Sequence, residues 1–182
     1  MMPVIETREK IAVPNKSYRV AMLKLKKAMQ NHPGYHHRDD YPLKHSFAEG
    51  LYIRRLLIPQ GHLGLTFIHK CSYPFFMMAG DATIIQADGN IRMKAPQSFI
   101  TEAGTQRVIF SHVDSVFATV HTNPENERDI DVIEKRIFAD YYDTFIDVDE
   151  DELGLIEDLQ YKDKELEMRQ DLLTMEVSNG RT

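Results

Sequence analysis

Three polar residues stand in line with apolar neighbours in stretches that read as β-strands. Side chains alternate across a strand, so every second residue shares a face. By that rule Leu65, Phe67 and His69 share one face, Arg107, Ile109 and Ser111 another, and Ser115, Phe117, Thr119 and His121 a third. If these faces line a common interior, His69, Arg107 and His121 converge inside it. A buried guanidinium is costly unless it meets a carboxylate, a phosphate or several acceptors. An inward Arg107 therefore points to an anionic ligand or an internal acidic partner. The bland alternative keeps Arg107 at the rim and makes both histidines hydrogen-bonded structural groups.

Metal chemistry is the competing use of the same residues. His69, His121 and His45 could supply three imidazoles, with Cys71 or Tyr73 nearby, a donor set suited to zinc or iron. Arg107 beside such a site would repel the cation. Other chemistry is thinner. Asp147, Asp149 and Asp151 imitate the start of a calcium loop, but Glu152 stands where the sharp turn needs glycine, so a solvated acidic linker is expected. The pairs His36-His37 and Asp39-Asp40 lie in a loop without further partners. Cys71 is expected to be a buried spectator thiol, since a reactive thiolate needs an activating, accessible setting. The sequence contains neither a glycine-rich phosphate loop nor a serine-nucleophile elbow.

The elements that must position these residues run from Leu51 to His121. The segments LYIRRLLI, LGLTFIH, PFFMM, DATIIQA, NIRMK, QSFIT, QRVIFS and SVFATVH follow one another with turn residues at close spacing. About eight short strands at this spacing predict an antiparallel sandwich or barrel. Asp88-Gly89, between two alternating runs, is the best hairpin signal, because glycine supplies the positive φ of a tight turn. The unbroken apolar run Pro74–Met78 predicts a strand covered on both faces.

Around this sheet region the chain predicts helices. Residues 1–15 read as irregular. Asn15 or Ser17 can then cap a helix to about Gln30, with Tyr18, Met22, Leu25 and Met29 on one stripe and Lys24, Lys26 and Lys27 on a solvated face. A second helix starts near Asp129, with Ile130, Ile133, Ile137 and Tyr141 at helical spacing. Both are expected to pack on the outside of the sheets. Beyond the acidic run 147–152, residues 155–176 form a charged helix, with Leu166, Leu172 and Leu173 on part of its surface. It is expected to be a loosely held tail or a partner-binding helix.

Composition excludes several classes. The chain has 182 residues, 27% of them charged, and a net charge of −6, which gives no general affinity for nucleic acid. A single cysteine rules out an internal disulfide framework and suits a reducing compartment. The opening MMPVIETREK has no apolar core of a signal peptide, and no window approaches a membrane span. A protein of the cytoplasm is expected.

Residues 64–121 resemble the cupin superfamily, a jelly-roll that holds a ligand or metal inside its barrel. The first cupin motif is Gly, five residues, then His-x-His. Gly64 and His69 fit it, but Cys71 replaces the second histidine and no glutamate follows at the motif's distance. Gly104-Thr105-Gln106-Arg107 fits the tail of the second motif, with Arg107 where a metal-binding histidine would stand. A narrower resemblance covers 45–137: HSFAEGLYIRRLLIPQG, IHK (68–70), GD (80–81), APQSFI (95–100), GTQR (104–107) and TVHTN (119–123) are similar to a group of short phage-encoded cupin-like proteins of unsettled activity. It implies that His45, Arg54, His69, Arg107 and His121 hold the group's recurring polar positions. A second histidine common in that group is here Tyr73.

Together these readings predict a mostly β, cupin-like jelly-roll of about eight antiparallel strands with flanking helices. Its parts are an N-terminal helical segment (1–44), the barrel (45–122), a packing helix (123–146) and an acidic linker with a charged tail (147–182). The expected ligand-binding set is His45, Arg54, His69, Tyr73, Arg107 and His121, with no cofactor. Catalytic residues are not assigned. The expected role is non-catalytic: binding a small anion, or serving as a structural or host-interaction protein of a phage, in the host cytoplasm or on the virion, and self-associating or pairing with a phage or host protein. The alternative is a metal-dependent oxygenase or isomerase, with Fe, Zn or Mn on His69, His121 and His45 and Tyr73 as acid or base.

Overall fold

The computed structural model describes residues 12–37 and 40–179, with the side chains of 167 and 169–179 left out. In chain order the elements are α1 (Lys16–Gln30), β1 (Leu43–Ala48), β2 (Leu51–Ile58), β3 (Leu63–Leu65), β4 (Ile68–His69), β5 (Tyr73–Ala79), β6 (Asp81–Gln86), β7 (Gly89–Lys94), β8 (Gln97–Thr101), β9 (Val108–Ser111), β10 (Ser115–Thr122), α2 (Ile130–Ile137), β11 (Phe138–Ala139) and α3 (Glu150–Asn179). The described residues divide into two compact units, one of 12–15 with 36–145, the other of 16–35 with 146–179.

The first unit is antiparallel β. A five-stranded sheet has the order β1-β2-β10-β5-β8, a four-stranded sheet the order β3-β9-β6-β7, and β4 pairs with β11. The mostly β, antiparallel class with helices towards both ends agrees with the sequence reading. Among the described residues eleven strands replace the expected eight, and they form three separate sheets rather than a closed barrel. One extra strand comes from a break, and the other two, β1 and β11, form in stretches read as the approach to the sheet and as helix. LGLTFIH is not one strand: it ends at Leu65 and resumes at Ile68 in another sheet. At the break Thr66 turns aside, its hydroxyl accepting from Arg107 N–H at 2.9 Å.

Apolar faces of the two larger sheets meet in a core of Ile58, Tyr73, Phe75, Met77, Ala82, Ile84, Met93, Ile109 and Phe117. The Pro74–Met78 run is covered on one face only: Phe75 and Met77 are buried, while Phe76 and Met78 are 38% and 52% exposed. The β6–β7 hairpin forms with Gln86 opposite Gly89, so Ala87-Asp88 is the loop and Gly89, at φ +132°, opens the return strand. Gly80 is a tighter case. Its φ is +102°, and a Cβ there would lie 2.6 Å from Ser115 Cα and 2.7 Å from Asp114 O. Neither backbone atom can step aside without moving β10. Gly80→Ala should therefore cost at least about 2 kcal/mol of unfolding free energy, checked by urea denaturation. An unchanged midpoint would show that the β5–β6 turn can relax.

Helix α2 begins where its sequence directs: Asp129 caps it, its carboxylate accepting from the N–H groups of Asp131 and Val132. Ile133 and Ile137 are buried and join Tyr52 and Phe138 in a second apolar cluster, flanked by Phe47, Phe67 and Ile130. Tyr141 is buried too, but it lies past the helix end.

The second unit corrects three expectations. The acidic run is not a solvated linker, because α3 starts at Glu150 and Asp149 accepts from the Glu152 N–H at 3.1 Å. Nor is α3 loosely held, since it pairs with α1. Met22, Leu23, Ile156 and Leu159 are buried. Arg19 forms two parallel bonds of 2.8 Å to the fully buried Glu152. The lysine face of α1 is not merely solvated: Lys26 bonds Asp163 at 2.7 Å, Lys27 bonds Asp158 at 2.8 Å, and Lys16 meets Asp149. The side chains of Leu172 and Leu173 lie outside the described residues. No helix among those described is long and apolar enough to cross a membrane.

Candidate functional site

Strand register assembles most of the polar interior. Arg54 of β2 stands opposite His45 of β1 on one side and Thr119 of β10 on the other. Two residues earlier, on the same face, Tyr52 stands opposite Phe47 and His121. Across the small sheet Phe138 faces His69, and Tyr73 faces Thr101 across β5 and β8. Period-two alternation thus sets Tyr52, Arg54, Thr119 and His121 on one inner surface.

His69, Tyr73 and His121 come together. The His69 and Tyr73 rings stack at 3.9 Å between centroids, His69 and His121 lie parallel at 5.6 Å, and Tyr73 and His121 are 5.0 Å apart. Phe138 meets both imidazoles edge-on. Thr119 Oγ1 is 3.0 Å from His121 Nε2, while His69 Nδ1 is buried without a hydrogen-bond partner. His45 stands apart from this pair, with its Nδ1 2.7 Å from the hydroxyl of Tyr52, whose ring stacks between those of His45 and His121.

Arg107 is buried and directly precedes strand β9, in which Ile109 and Ser111 are buried as well. Its Nε donates to Gln86 Oε1 at 2.9 Å and its Nη1 to Thr101 Oγ1 at 2.8 Å, and the guanidinium lies 4.9 Å over the Phe99 ring. Because Gln86 ends β6 and Thr101 ends β8, this side chain ties the two large sheets together. Arg54 lies 3.6 Å from Glu134 Oε1 of α2 and 5.4 Å over Phe138.

Burial and these two guanidiniums set the charge states. Burial, with His121, Arg54 and Arg107 adding to it, holds His69 well below the ordinary histidine value, although the Phe67 carbonyl pulls the other way. Burial, helped by Arg54, brings His121 down to about 4. Burial pushes Tyr52 up to about 12 and raises Tyr73. At neutral pH the interior holds two neutral imidazoles and two neutral phenols beside two guanidiniums.

Among the described residues no three His, Cys, Asp or Glu side chains stand close enough to share an ion. The His69 and His121 rings lie parallel, and Tyr52 stacks against both His121 and His45. Cys71 is exposed, contrary to the expected buried thiol. Asp39 lies outside the described residues; His37 N–H donates to Asp40 at 2.7 Å.

No protein-family model matches the chain, and no curated protein is similar enough to count as a relative. Solved structures do resemble part of it. Its structural neighbours include cupin-domain proteins. A cupin domain from Bordetella pertussis Tohama I aligns with TM-score 0.38 and 16% identity, over 46% of this chain and 93% of that one. A cupin domain of an XRE family transcriptional regulator from Enterobacter cloacae aligns with TM-score 0.40 and 11% identity, over 46% and 97%. Ectoine synthase from P. lautus aligns with TM-score 0.41 and 10% identity, over 45% of this chain and 63% of the enzyme. Likenesses this distant bring no chemistry to this chain.

Glu134, Gln86 and Thr101 were missed from sequence. For Glu134 a signal existed: with Ile130, Ile133 and Ile137 it completes the i, i+3, i+4, i+7 stripe that faces inward. Gln86 and Thr101 end their strands, and nothing local marks them.

Proposed function

We propose that this is a non-catalytic cupin-like protein whose buried polar centre binds a small anion beside Arg54 and Arg107. One observation carries the reading. Both guanidiniums lie within electrostatic reach of His69 and Tyr73, and their positive charge helps keep the neighbouring imidazole unprotonated. A small phosphate- or carboxylate-bearing compound would relieve that field and could accept from the phenol and the guanidiniums. The resemblance to short phage-encoded proteins supports a role in an infected host cell, in its cytoplasm or on the particle, with self-association or a phage or host partner. The scaffold version of the reading has no ligand, only the packed rings and hydrogen bonds that join the sheets.

Thermal melting in a panel of inorganic phosphate, sulfate and small carboxylates tests this. At about 100 times its Kd a ligand adds about 2.7 kcal/mol, and so raises Tm by roughly 5–10 °C. Arg107→Met should abolish the rise, and Arg107→Lys, which keeps the charge but loses the planar fork, should reduce it. No response to any compound defeats anion binding and leaves the scaffold.

The second reading, a metal-dependent enzyme, is favoured by the unpartnered Nδ1 of His69 and by imidazoles that are neutral and so free to ligate. Stoichiometric iron, zinc or manganese in the purified protein, lost in His69→Ala, would establish it over the first.

A further inference from the structure

Four strands end the two larger sheets, and three of them carry protection against pairing with another chain. Strand β7 bears Arg92 and Lys94, β1 bears Lys44, and β3 is only three residues long. Strand β8 has none of these devices. Its residues Gln97, Ser98, Phe99, Ile100 and Thr101 include no charge, and β5 is its one strand neighbour among the described residues.

The surface beside this edge is apolar. Register sets Ser98 opposite Phe76 and Ile100 opposite Pro74, with Phe75 and Phe99 turned inward. Phe76, Met78 and Ile100 are 38%, 52% and 64% exposed on the outward side. A shallow groove of about 520 Å³ runs along it, lined by Phe76, Met77, Met78, Pro96, Gln97 and Ser98. Exposed apolar side chains grouped at an open edge mark an interaction surface.

We propose that β8 is where the chain self-associates, two copies pairing β8 with β8 antiparallel across a two-fold axis and burying Phe76, Met78 and Ile100. Two arguments favour a second copy over a different protein. Antiparallel pairing of a strand with itself satisfies the same backbone groups on both sides, as an isologous interface requires. Charge points the same way. Each copy carries a net charge of −6, so copies approach at least cost where neither presents charge, and this uncharged patch has nothing to select a charged partner. The pairing is independent of what the interior binds, so its test needs no ligand.

Sedimentation and light scattering of the full chain over a wide dilution series should show a monomer–dimer equilibrium. Ile100→Lys and Ser98→Lys should each weaken it at least about tenfold. Ile91→Lys, at a half-exposed position on the guarded β7, should leave it unchanged. Circular dichroism melts confirm that the variants fold, and the Ile100 amide should exchange more slowly as concentration rises. A monomer at every concentration, a dimer indifferent to both β8 substitutions, or equal loss with Ile91→Lys overturns the proposal. So does a chain that dimerises only once residues 1–11 are removed. Ala12 N–H donates to Ala103 O just beyond β8, so that result would assign the edge to the chain's own leading segment.

Discussion

Acidification from pH 7 to pH 4 should remove about 3 kcal/mol of unfolding free energy through His121 alone. Its value in the folded chain is about 4, against 6.5 for a free histidine. Between those values the unfolded chain takes up a proton that the folded chain refuses. The stability is therefore fully present above about pH 6.5 and is lost as pH falls towards 4. His69 is shifted in the same direction and adds to the loss. Carboxylates titrate in a lower window. Asp81 is held low by the Arg92 hydrogen bond, Glu127 by the backbone N–H groups of Asp129 and Arg128, and Asp149 by Lys16. What they contribute is present above their ordinary values near pH 4 and lost only below. Urea denaturation at steps from pH 7 to pH 5 thus isolates the imidazoles. His121→Asn should flatten the slope there, and a wild-type curve already flat would sink the buried-imidazole account.

How much of this was legible in the sequence follows from the range of each cause. Strand alternation is local, so it set Thr119 and His121 on one face, as the structure has them. The cap at Asp129 and the Ile133 and Ile137 stripe are local as well. What failed depended on distant partners. The continuous reading of LGLTFIH gave way because Thr66 takes the backbone N–H of Arg107, a bond spanning 41 residues. The lysines of α1 looked solvated because their acidic partners lie more than 130 residues away. The PFFMM run reads as doubly covered, yet β5 buries one face only, and apolar content alone does not tell those cases apart. Alternation left Arg107 either inward or at the rim, and the structure has it buried. Its anchors, Gln86 and Thr101, were not legible, since no rule of spacing links three strand ends.

Glu134→Ala should cost about 3–5 kcal/mol, more than any single hydrogen bond of the site could explain. The side chains of Arg54 and Glu134 are only 14% and 11% exposed, with Arg54 Nε 3.6 Å from Glu134 Oε1, so removing the carboxylate takes its compensating charge from a guanidinium in a poorly hydrated interior. Replacing both, as Arg54→Met with Glu134→Met, removes that guanidinium along with its partner, and most of the loss should be recovered. Chemical denaturation of the two singles and the double gives the coupling directly; additive costs would mean that the two groups do not act as a pair. The histidines provide a second readout. Arg54 is, after burial, the influence that holds His121 down, so Arg54→Met should raise its NMR titration midpoint from about 4 towards, but not to, 6.5. The same pair bears on the proposed anion binding. Glu134 is the carboxylate that partly cancels Arg54, so Glu134→Gln should destabilise the unliganded chain yet tighten its hold on a small anion. Stability and affinity then move in opposite directions, which a merely structural ion pair would not produce.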